Sequence, residues 1–491
     1  MSRVSSAAIA AALAPDPRSS EPLYRQICER LRRHILNGTF PAGQQIPSSR
    51  VLAADLGVSR NTIMNAIEQL IAEGYLEGQP ATGTFVTGAI PRALNPSSAA
   101  PPAADPRWSS FGQRLDETMA RPPRALTKLA PFRPGVGALE VFPFDVWQRL
   151  FAAVWRTRSP ELLDYGHPAG DLTLRRAIAA YMRIARGLQA DADQIVIVSG
   201  AQQGIELTAR LLVNPGEQVW VEDPGYFGIR TALQLQGSAL VPVPVDEAGL
   251  DVQRGIAAAP VARLACVAPS HQFPRGVTMT LARRLELLNW AASADAWILE
   301  DDYDGEFTLH GHPLQALQGL DGGRRVIYLG TFSKTLFPSL RLAYLVVPPD
   351  LVDRFVACKA AVDRQCPVVE QAVLARFIVD GHFARHIRRM RALYADRAEA
   401  LVASAQRHLA GALTVEAPTA GMHAIGWLED GRSDEAVSRA AAEQGVVAWP
   451  LSSCRFGDAA CRPGLVLGFA AYGEAEIDDG IVRLARALES R

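Results

Sequence analysis

A stretch rich in proline, alanine and serine, residues 89–127, most constrains how this chain of 491 residues can fold. Such a composition cannot bury enough apolar surface to order itself fully, so it predicts a semi-stiff linker. Before it, residues 20–88 show helical periodicity and end in a glycine-rich turn region. After it, residues 128–491 alternate short apolar strands with amphipathic helices. The chain is therefore predicted to form separate folded units rather than one core.

The overall composition excludes several classes of protein. There is no run of about 18 apolar residues, so no transmembrane helix and no membrane partner are expected. Six cysteines without a CxxC pair indicate free thiols in a reducing cytoplasm and no zinc site. A net charge of −1 means that any DNA binding must depend on a local set of residues. Residues 1–19 are predicted to be a disordered extension, with a signal peptide as the less favoured alternative.

The segment before the linker has the pattern of a helix-turn-helix. Residues that recur every four positions form the apolar face of a first helix: Leu23, Ile27, Leu31 and Ile35. A second helix begins with Ser48 or Ser49 as its N-cap and ends at Gly57. Ser59 then caps a third helix, which ends at Gly74. Two short helices joined by a tight glycine turn are typical of this motif.

The third helix and the segment after it carry the predicted DNA contacts. The N-terminal half of the third helix is polar and includes Arg60, Asn61, Thr62 and Asn65. That end of a helix presents free N–H groups to phosphate, and recognition helices insert it into the major groove. The following YLEGQPATGTFVTG predicts a β-wing with Thr82 and Gly83 at its tip. The alternative is a small helical bundle that does not bind DNA. The segment before the linker has equal numbers of arginines and acidic residues, so its net charge does not decide between the two.

Family resemblance favours DNA binding. The phrases PLYRQICERLRRHI, PAGQQIPSSRVLAADLGVSRNTI and EQLIAEGYLEG before GTFV resemble the winged-helix domain of GntR-family regulators. The resemblance covers residues 22–86 and implies an α+β winged helix-turn-helix that binds double-stranded DNA at promoter half-sites. It also implies that Arg50 and Arg60 contact phosphates or bases, next to Thr62, Asn65 and the wing tip.

In the large unit, one lysine is the starting point. Lys334 lies in a polar turn between two apolar strands, in the segment RRVIYLGTFSKTLFPSLRLAYLVVP. A lysine in such surroundings is costly unless it is paired or covalently used. A Schiff base with pyridoxal 5'-phosphate removes that cost and is a known use of such a lysine. Lys334 is therefore predicted to be the catalytic and cofactor-binding residue.

The other groups that this cofactor requires are also present. Asp301 and Tyr303, two apart at the end of an apolar strand, are predicted to serve the ring nitrogen and the phenolic oxygen. His271 or Gln272 is predicted to approach the same oxygen, and Tyr226 to stack on the ring. The predicted phosphate ligands are N–H groups at a helix start, two hydroxyls and an arginine: Ala201, Gln202, Thr331, Ser333 and Arg341. Each signal alone also fits an ordinary structural residue, and only their order along the chain makes them specific.

That order resembles the aminotransferase-like domain of MocR-type regulators. The phrases carrying the resemblance are LLDYGHPAGDLTLRRAIAAYM, VSGAQQGIEL, VEDPGY, PSHQFPRG, EDDYDGEF and GTFSKTLFPSLR. It implies an α/β fold of type I PLP-dependent transferases, with a smaller C-terminal α/β subdomain. It also implies a domain-swapped homodimer, in which Tyr165 reaches the phosphate of the neighbouring subunit.

One departure from the aminotransferase pattern concerns the substrate carboxylate. Aminotransferases bind it with an arginine before a late β-strand, but CRPGLVLGFAAYG has Val466 or Leu465 at that place. Arg462 and Arg455 are the upstream alternatives. Gly228, two residues after Tyr226, offers no charge for a second carboxylate. Either transamination of an ordinary α-amino acid is disfavoured, or the residue that binds the substrate carboxylate is one that the sequence does not identify.

The sequence thus predicts a cytoplasmic DNA-binding transcription regulator that senses a small amine, or the cofactor itself, through the Lys334 Schiff base. One alternative is an active aminotransferase that also binds DNA. The others are a plain repressor with a vestigial cofactor site and a soluble enzyme with an unrelated helical head. The effector and the sign of regulation stay open at this level.

Overall fold

A computed structural model describes residues 6–16, 18–80, 82–88, 107–118, 130–311, 314–429, 431–457 and 462–489. The chain divides into two compact units, Met1–Arg107 and Trp108–Arg491. Each has its own hydrophobic core. No helix in the described ranges combines the length and the apolar character needed to cross a bilayer.

The described residues of the first unit form four helices and three strands. Its helices are α1 (Ser6–Leu13), α2 (Leu23–Leu36), α3 (Ser49–Leu56) and α4 (Arg60–Ala72). Its strands β1 (Gln45–Ile46), β2 (Leu76–Gln79) and β3 (Gly83–Val86) form an antiparallel sheet in the order β1-β3-β2. Helices α3 and α4 form the predicted helix-turn-helix, and β2 and β3 form the wing.

The helix boundaries follow from local chemistry. Ser48, not Ser49, is the N-cap of α3, and its hydroxyl accepts the Val51 N–H. Gly57 ends α3 in a left-handed conformation with φ of 65°, which costs glycine nothing. The Ser59 hydroxyl caps α4 by accepting the Thr62 N–H at 3.1 Å.

The N-terminal extension differs from the sequence-based expectation. Residues 1–19 were expected to be disordered, but Ser6–Leu13 forms a helix in which Ile9 and Leu13 are buried with the head's core. Alanine-rich sequence has high helix propensity, and two large apolar residues four apart give it one face to bury. The weak overall hydrophobicity of the segment concealed that face.

The second unit contains a large α/β domain. Its helices are α5 (Ser110–Thr118), α6 (Phe144–Arg156), α7 (Leu172–Arg186), α8 (Ala201–Leu212), α9 (Phe227–Gln236), α10 (Val252–Ala258), α11 (Leu281–Ser293), α12 (Leu317–Asp321), α13 (Phe332–Thr335), α14 (Val352–Asp363) and α15 (Val368–Val379). Its strands are β4 (Ile195–Val198), β5 (Gln218–Asp223), β6 (Ala239–Asp246), β7 (Gly249–Leu250), β8 (Leu264–Val267), β9 (Trp297–Asp302), β10 (Val326–Thr331) and β11 (Ala343–Val346).

These strands form one mixed sheet in the order β4-β11-β10-β9-β8-β5-β6-β7. Strands β6, β5, β8, β9 and β10 are parallel, whereas β11 is antiparallel to both β10 and β4. Strand β4 therefore runs in the same direction as β10. The carboxyl ends of all six parallel strands meet at one edge, which is where ligands bind in open α/β sheets.

Part of the predicted linker is structured. Helix α5 lies within residues 89–127 and contacts α9, where the Arg114 side chain donates to the Leu235 carbonyl oxygen at 2.8 Å and 3.0 Å. The helix forms because it gains this contact, which its composition did not reveal. The flanking residues 89–106 and 119–127 lie outside the described ranges.

A smaller subdomain follows the long helix α16 (His382–His408). It contains α17 (Asp434–Glu443), α18 (Glu474–Glu489) and an antiparallel sheet of β12 (Leu413–Val415), β13 (His423–Leu428), β15 (Gly464–Gly468) and β14 (Trp449–Pro450). The chain segment that follows residue 130 joins this sheet: the Gly468 N–H donates to Phe132 O at 2.8 Å, and the Val447 N–H to Pro131 O at 2.9 Å. Residues from both ends of the unit thus meet beside the main sheet.

Candidate cofactor site and nucleic-acid interface

A cavity of about 310 Å³ opens at the carboxyl edge of the main sheet. Nine of the predicted cofactor residues line it: Lys334, Asp301, Tyr303, Tyr226, Ala201, Gln202, Thr331, Ser333 and Arg341. They lie at the carboxyl ends of four strands, β4, β5, β9 and β10, or in the segments that follow them, so the sheet topology itself brings them together. The lining also contains residues that the sequence did not single out, among them Arg133, Gly135, Phe273, His423 and Trp449.

Lys334 projects into this cavity from α13, directly after β10. Its ε-amino group donates a hydrogen bond to the Gly135 carbonyl oxygen at 2.8 Å. Removal from water lowers the pKa of Lys334; Asp304 and Asp301 oppose this effect, and Arg133 adds to it. A lysine with a lowered pKa has more of the neutral amine that attacks a carbonyl carbon.

Gly135 has to be glycine. Its φ is 78°, and a Cβ atom there would lie 2.7 Å from the Lys334 Nζ. Any larger residue would therefore displace the lysine.

Asp301 gives the strongest indication that the cavity binds a ligand. Its side chain is buried, and Oδ1 has no hydrogen-bond partner among the described atoms. Burial, together with the nearby Asp302 and Asp304, raises the pKa of Asp301 to about 7, and Lys334 opposes this rise. An unpaired buried carboxylate is costly, and a protonated ring nitrogen would satisfy it. This donor set fits pyridoxal phosphate.

Tyr303 lines the cavity with its hydroxyl held from behind. Burial raises its pKa well above the ordinary value, so it stays a neutral donor. The hydroxyl lies 3.0 Å from His271 Nδ1, which lies 3.0 Å from Asp304 Oδ2. The predicted His271 is therefore behind the lining, not in it, because its ring nitrogen is used by these two neighbours.

Gln272 also lies behind the lining. Its amide group donates to the Pro224 carbonyl oxygen at 2.8 Å and to the Glu222 carboxyl group at 3.2 Å. Its oxygen accepts the Arg275 N–H at 3.1 Å. These bonds join the loops after β5 and β8, so the structure gives Gln272 a loop-joining position rather than a place in the cavity wall.

The predicted phosphate ligands surround the start of α8. Ala201 and Gln202 are its first two residues and offer unpaired N–H groups. The Arg341 guanidinium lies against Gly200, where a Cβ atom would be 2.7 Å from Arg341 Nη2. Arg341 has a φ of 52°, a left-handed conformation unusual for a non-glycine residue. Helix N–H groups, two hydroxyls and a guanidinium together suit a dianion.

Tyr226 ends the loop after β5 and precedes α9. Burial raises its pKa to about 12, so it stays protonated. Its ring meets Phe273 edge to face at 6.2 Å, and both rings line the cavity. These rings supply the aromatic surface that a planar cofactor ring requires.

Tyr165 lies apart from this set. Its side chain is 73% exposed, with the Arg364 guanidinium 4.2 Å from the ring centroid. This chain alone therefore does not bring Tyr165 to the cavity, in keeping with a role that the family resemblance places in a neighbouring subunit.

The residues that the sequence suggested for binding the substrate carboxylate do not line the cavity. Arg462 pairs with Glu429 at 3.2 Å, and Arg455 donates to the Gly457 carbonyl oxygen at 2.9 Å. Val466 and Leu465 are buried within β15. Arg133, which does line it, was missed because it is far from Lys334 in the sequence, and no local pattern links the two.

In the first unit, the predicted DNA contacts lie on the surface. Arg50, Arg60, Asn65, Thr82 and Gly83 are exposed, and Thr62 is half-buried. Arg60 Nε donates to the Ser49 hydroxyl at 3.3 Å, and the Thr62 hydroxyl lies 2.8 Å from that of Ser59. Gly83 has a φ of 124°, and a Cβ atom there would meet the side chain of Gln45 at 2.7 Å. The helix-turn-helix and the wing thus expose polar residues on the surface of the first unit.

The fold and the cavity define the class: a winged helix-turn-helix head joined to a type I pyridoxal phosphate-dependent transferase fold. The chain matches the gntR family of bacterial regulatory proteins over residues 23–86, and the class I and II aminotransferases over residues 136–484.

Comparison with individual proteins makes the family specific. The chain is 40% identical to the probable rhizopine catabolism regulatory protein MocR of Rhizobium meliloti, over 95% of this chain and 94% of that protein. It is 34% identical to the HTH-type transcriptional regulator TauR of Rhodobacter capsulatus, over 97% and 98%. The chain belongs to the MocR-type branch of the GntR regulators and is a DNA-binding transcription regulator.

The large unit also resembles solved aminotransferases. LysN, the α-aminoadipate aminotransferase of Thermus thermophilus, superposes with a TM-score of 0.71 and 28% identity, covering 77% of this chain and 97% of LysN. The LysN structure contains N-(5'-phosphopyridoxyl)-L-leucine. Family, fold and the unpaired Asp301 together identify pyridoxal 5'-phosphate as the cofactor of this protein.

Proposed function

We propose that this regulator senses a small amine, or the cofactor itself, at Lys334, and that the outcome alters how its head binds DNA. The observation that supports the proposal is the pairing of Lys334, with its lowered pKa, and Asp301, whose buried oxygen lacks a partner among the described atoms. When bound, pyridoxal phosphate supplies a carbonyl carbon that links reversibly to primary amines.

The chain's own residues would do the rest. Lys334 would hold the cofactor through its ε-amino group, at the position that an effector amine would also take. Asp301 keeps the ring nitrogen protonated, and Tyr303, held by His271, donates to the phenolic oxygen. Thr331, Ser333, Arg341 and the start of α8 bind the phosphate.

A released Lys334 makes different contacts from a bound one. An effector shifts the protein between two arrangements only as far as its affinities for them differ. The change in hydrogen bonding of the Lys334 ε-amino group at Gly135 is where that difference would begin.

For the head, we propose that Arg50 and Arg60 bind phosphates or bases, with Thr62 and Asn65 beside them in the major groove. Thr82 and Gly83 at the wing tip would lie along the backbone or the minor groove. In the proposed homodimer, each subunit would contribute residues such as Tyr165 to the active site of the other. The two heads of this dimer would bind two half-sites. Since its target is chromosomal DNA, the protein would act in the cytoplasm.

The test follows the cofactor absorbance and binding to the upstream DNA of its own gene in one full-length sample. We expect an effector amine to shift the absorbance band and to change the DNA affinity at the same concentration. Lys334→Ala should abolish both responses while the head still binds DNA. A shift in the band with no change in DNA affinity, at any amine concentration, would contradict the proposal.

An active aminotransferase is the second candidate, because nine of the residues predicted to serve the cofactor line the cavity. Turnover of amine and keto-acid pairs at about 1 per second or faster would favour it. Val466 or Leu465, one of which stands where aminotransferases place a carboxylate-binding arginine, is apolar and buried, which argues against ordinary α-amino-acid substrates.

A further inference from the structure

Arg133 has no role in the cofactor set, yet it lines the same cavity. Of the described lining residues, only Arg133 and Arg341 are arginines. Arg341 lies against Gly200 among the phosphate donors. Arg133 belongs instead to the segment that contacts the C-terminal subdomain, two residues before Gly135, the hydrogen-bond partner of Lys334.

The Arg133 guanidinium is incompletely satisfied. Its Nε atom is buried and has no hydrogen-bond partner among the described atoms. The side chain is half-buried and lines the cavity, so a ligand with an anionic group would give its unpaired Nε an acceptor. Arginine is also the side chain best suited to a carboxylate or a sulfonate, which it binds through two parallel hydrogen bonds.

The backbone around Arg133 is held rigidly. Phe132 is fully buried with a φ of 67°, a left-handed conformation that is strained for a phenylalanine. The Gly468 and Val447 N–H groups donate to the carbonyl oxygens of Phe132 and Pro131. Strain of this kind persists only where the surroundings enforce it, and here it fixes the residue next to the one that carries the guanidinium.

The region in which aminotransferases bind the substrate carboxylate is apolar in this protein. Val466 packs with Ile425 and Leu451 in an apolar cluster that Phe273 and Trp449, both cavity residues, adjoin. This part of the wall would repel a charged group. Beyond Lys334 and the phosphate-side Arg341, the cation that the described lining offers to a ligand is Arg133.

We propose that the effector is a small primary amine that also carries a carboxylate or sulfonate, and that Arg133 binds this acid group. The inference rests on the proposed sensing at Lys334. The amine would take the position of the Lys334 ε-amino group, next to Gly135.

The test titrates full-length, cofactor-loaded protein with 3-aminopropanoate, 4-aminobutanoate and 2-aminoethanesulfonate, and with 1-aminobutane as the comparator without an acid group. The readout is the apparent Kd from the cofactor absorbance. We expect at least one acidic amine to bind tenfold or more tightly than 1-aminobutane. Arg133→Met should remove that preference and leave 1-aminobutane unchanged, and Arg133→Lys should restore part of it.

Arg455→Met is the matched control, since it removes an arginine outside the cavity lining. An acid preference that survives Arg133→Met would overturn the proposal. Loss of the cofactor itself from Arg133→Met would also overturn it, because the guanidinium would then belong to the cofactor phosphate.

If no amine alters the absorbance of the wild-type protein, the proposed sensing at Lys334 is wrong. Binding of an acid group by Arg133 is then tested separately. Calorimetric titration with propanoate and methanesulfonate needs no covalent step. Binding by the wild-type protein that Arg133→Met loses would support the acid site independently. No binding by either protein would reject it.

Discussion

At the residue scale, the cavity works through side chains whose polar atoms are only partly satisfied. Asp301 Oδ1 has no partner among the described atoms, and its carboxyl group has a raised pKa of about 7. The Tyr303 hydroxyl, by contrast, is held by His271, whose Nδ1 atom also contacts Asp304. Asp301 Oδ1 is thus available to a ligand, whereas the Tyr303 hydroxyl already has a partner in the protein.

Asp301→Asn should weaken cofactor binding by about ten- to a hundredfold. A charge-assisted hydrogen bond contributes about 1.5–3 kcal/mol, and a neutral amide cannot keep the ring nitrogen protonated. The measurement is a Kd from absorbance on adding pyridoxal phosphate to cofactor-free protein. Glu435→Gln, the same chemical change at an exposed position on α17, should leave the Kd unchanged. An Asn variant that binds as tightly as the wild type would refute the role of Asp301.

The buried Glu222 should make the cofactor-free large unit less stable in mild alkali. Burial raises its pKa to about 8, against an ordinary value of 4.5. Between these values the folded protein holds a proton that the unfolded chain releases, so stability falls as the pH rises. From pH 6.5 to 8.5 the loss is about 2 kcal/mol. Thermal unfolding at both pH values should show a smaller loss for Glu222→Gln; an equal loss would disprove the assignment.

At the element scale, the end of β9 is anchored to α7. Arg186 and Asp302 form a salt bridge at 2.8 Å in which both side chains are 1% exposed. The Tyr328 hydroxyl donates to the same carboxyl group at 2.6 Å, and Arg186 donates to the Ser270 hydroxyl. These bonds position β9 and β10, which deliver Asp301 and Lys334 to the cavity.

Arg186→Met should destabilise the large unit by about 3–5 kcal/mol, because it leaves the Asp302 charge buried without a partner. The double variant Arg186→Met with Asp302→Leu should recover part of that loss. Arg183→Met is the control on the same helix, since the Arg183 side chain is 63% exposed. Thermal unfolding monitored by circular dichroism measures the stability of all three variants. A single variant as stable as the control would show that the pair is not an anchor.

The unexpected helix α1 contributes to the core of the head. Leu13 is fully buried, so Leu13→Ala should cost that unit about 2–5 kcal/mol. Leu23→Ala removes the same atoms from a side chain that is 40% exposed and should cost much less. Limited proteolysis of the full chain, read at sites before residue 88, would show faster cleavage for the first variant. Equal cleavage rates would mean that α1 does not stabilise the head.

At the scale of the whole molecule, two units with separate cores carry separate chemistry. The head exposes arginines at the helix-turn-helix, whereas the large unit holds its functional groups in a cavity. Damage to one chemistry should therefore leave the other intact.

Arg60→Ala should weaken binding to the operator by about 1–3 kcal/mol and reduce the dependence on salt by about one counterion. The cofactor absorbance should stay unchanged. Arg33→Ala, an exposed arginine on α2, is the matched control. Fluorescence anisotropy at several salt concentrations measures both effects. A salt slope that is the same in both variants would place Arg60 outside the interface.

Local chemistry was readable from the sequence alone. The cap at Ser59 and the end of α3 at Gly57 were predictable because they depend on neighbouring residues only, whereas the sequence left Ser48 and Ser49 as alternatives for the cap of α3. Nine cavity residues were also predictable, since each follows a strand and parallel strands end at one edge.

The tertiary structure decided what depends on contacts between distant segments. Arg133 reaches the cavity only because its segment pairs with β15, more than 300 residues later. His271 and Gln272 lie behind the lining because loops from other strands use their polar atoms. Apolar patterning and caps act over a few residues, whereas burial and the pairing of charges are set by the whole fold.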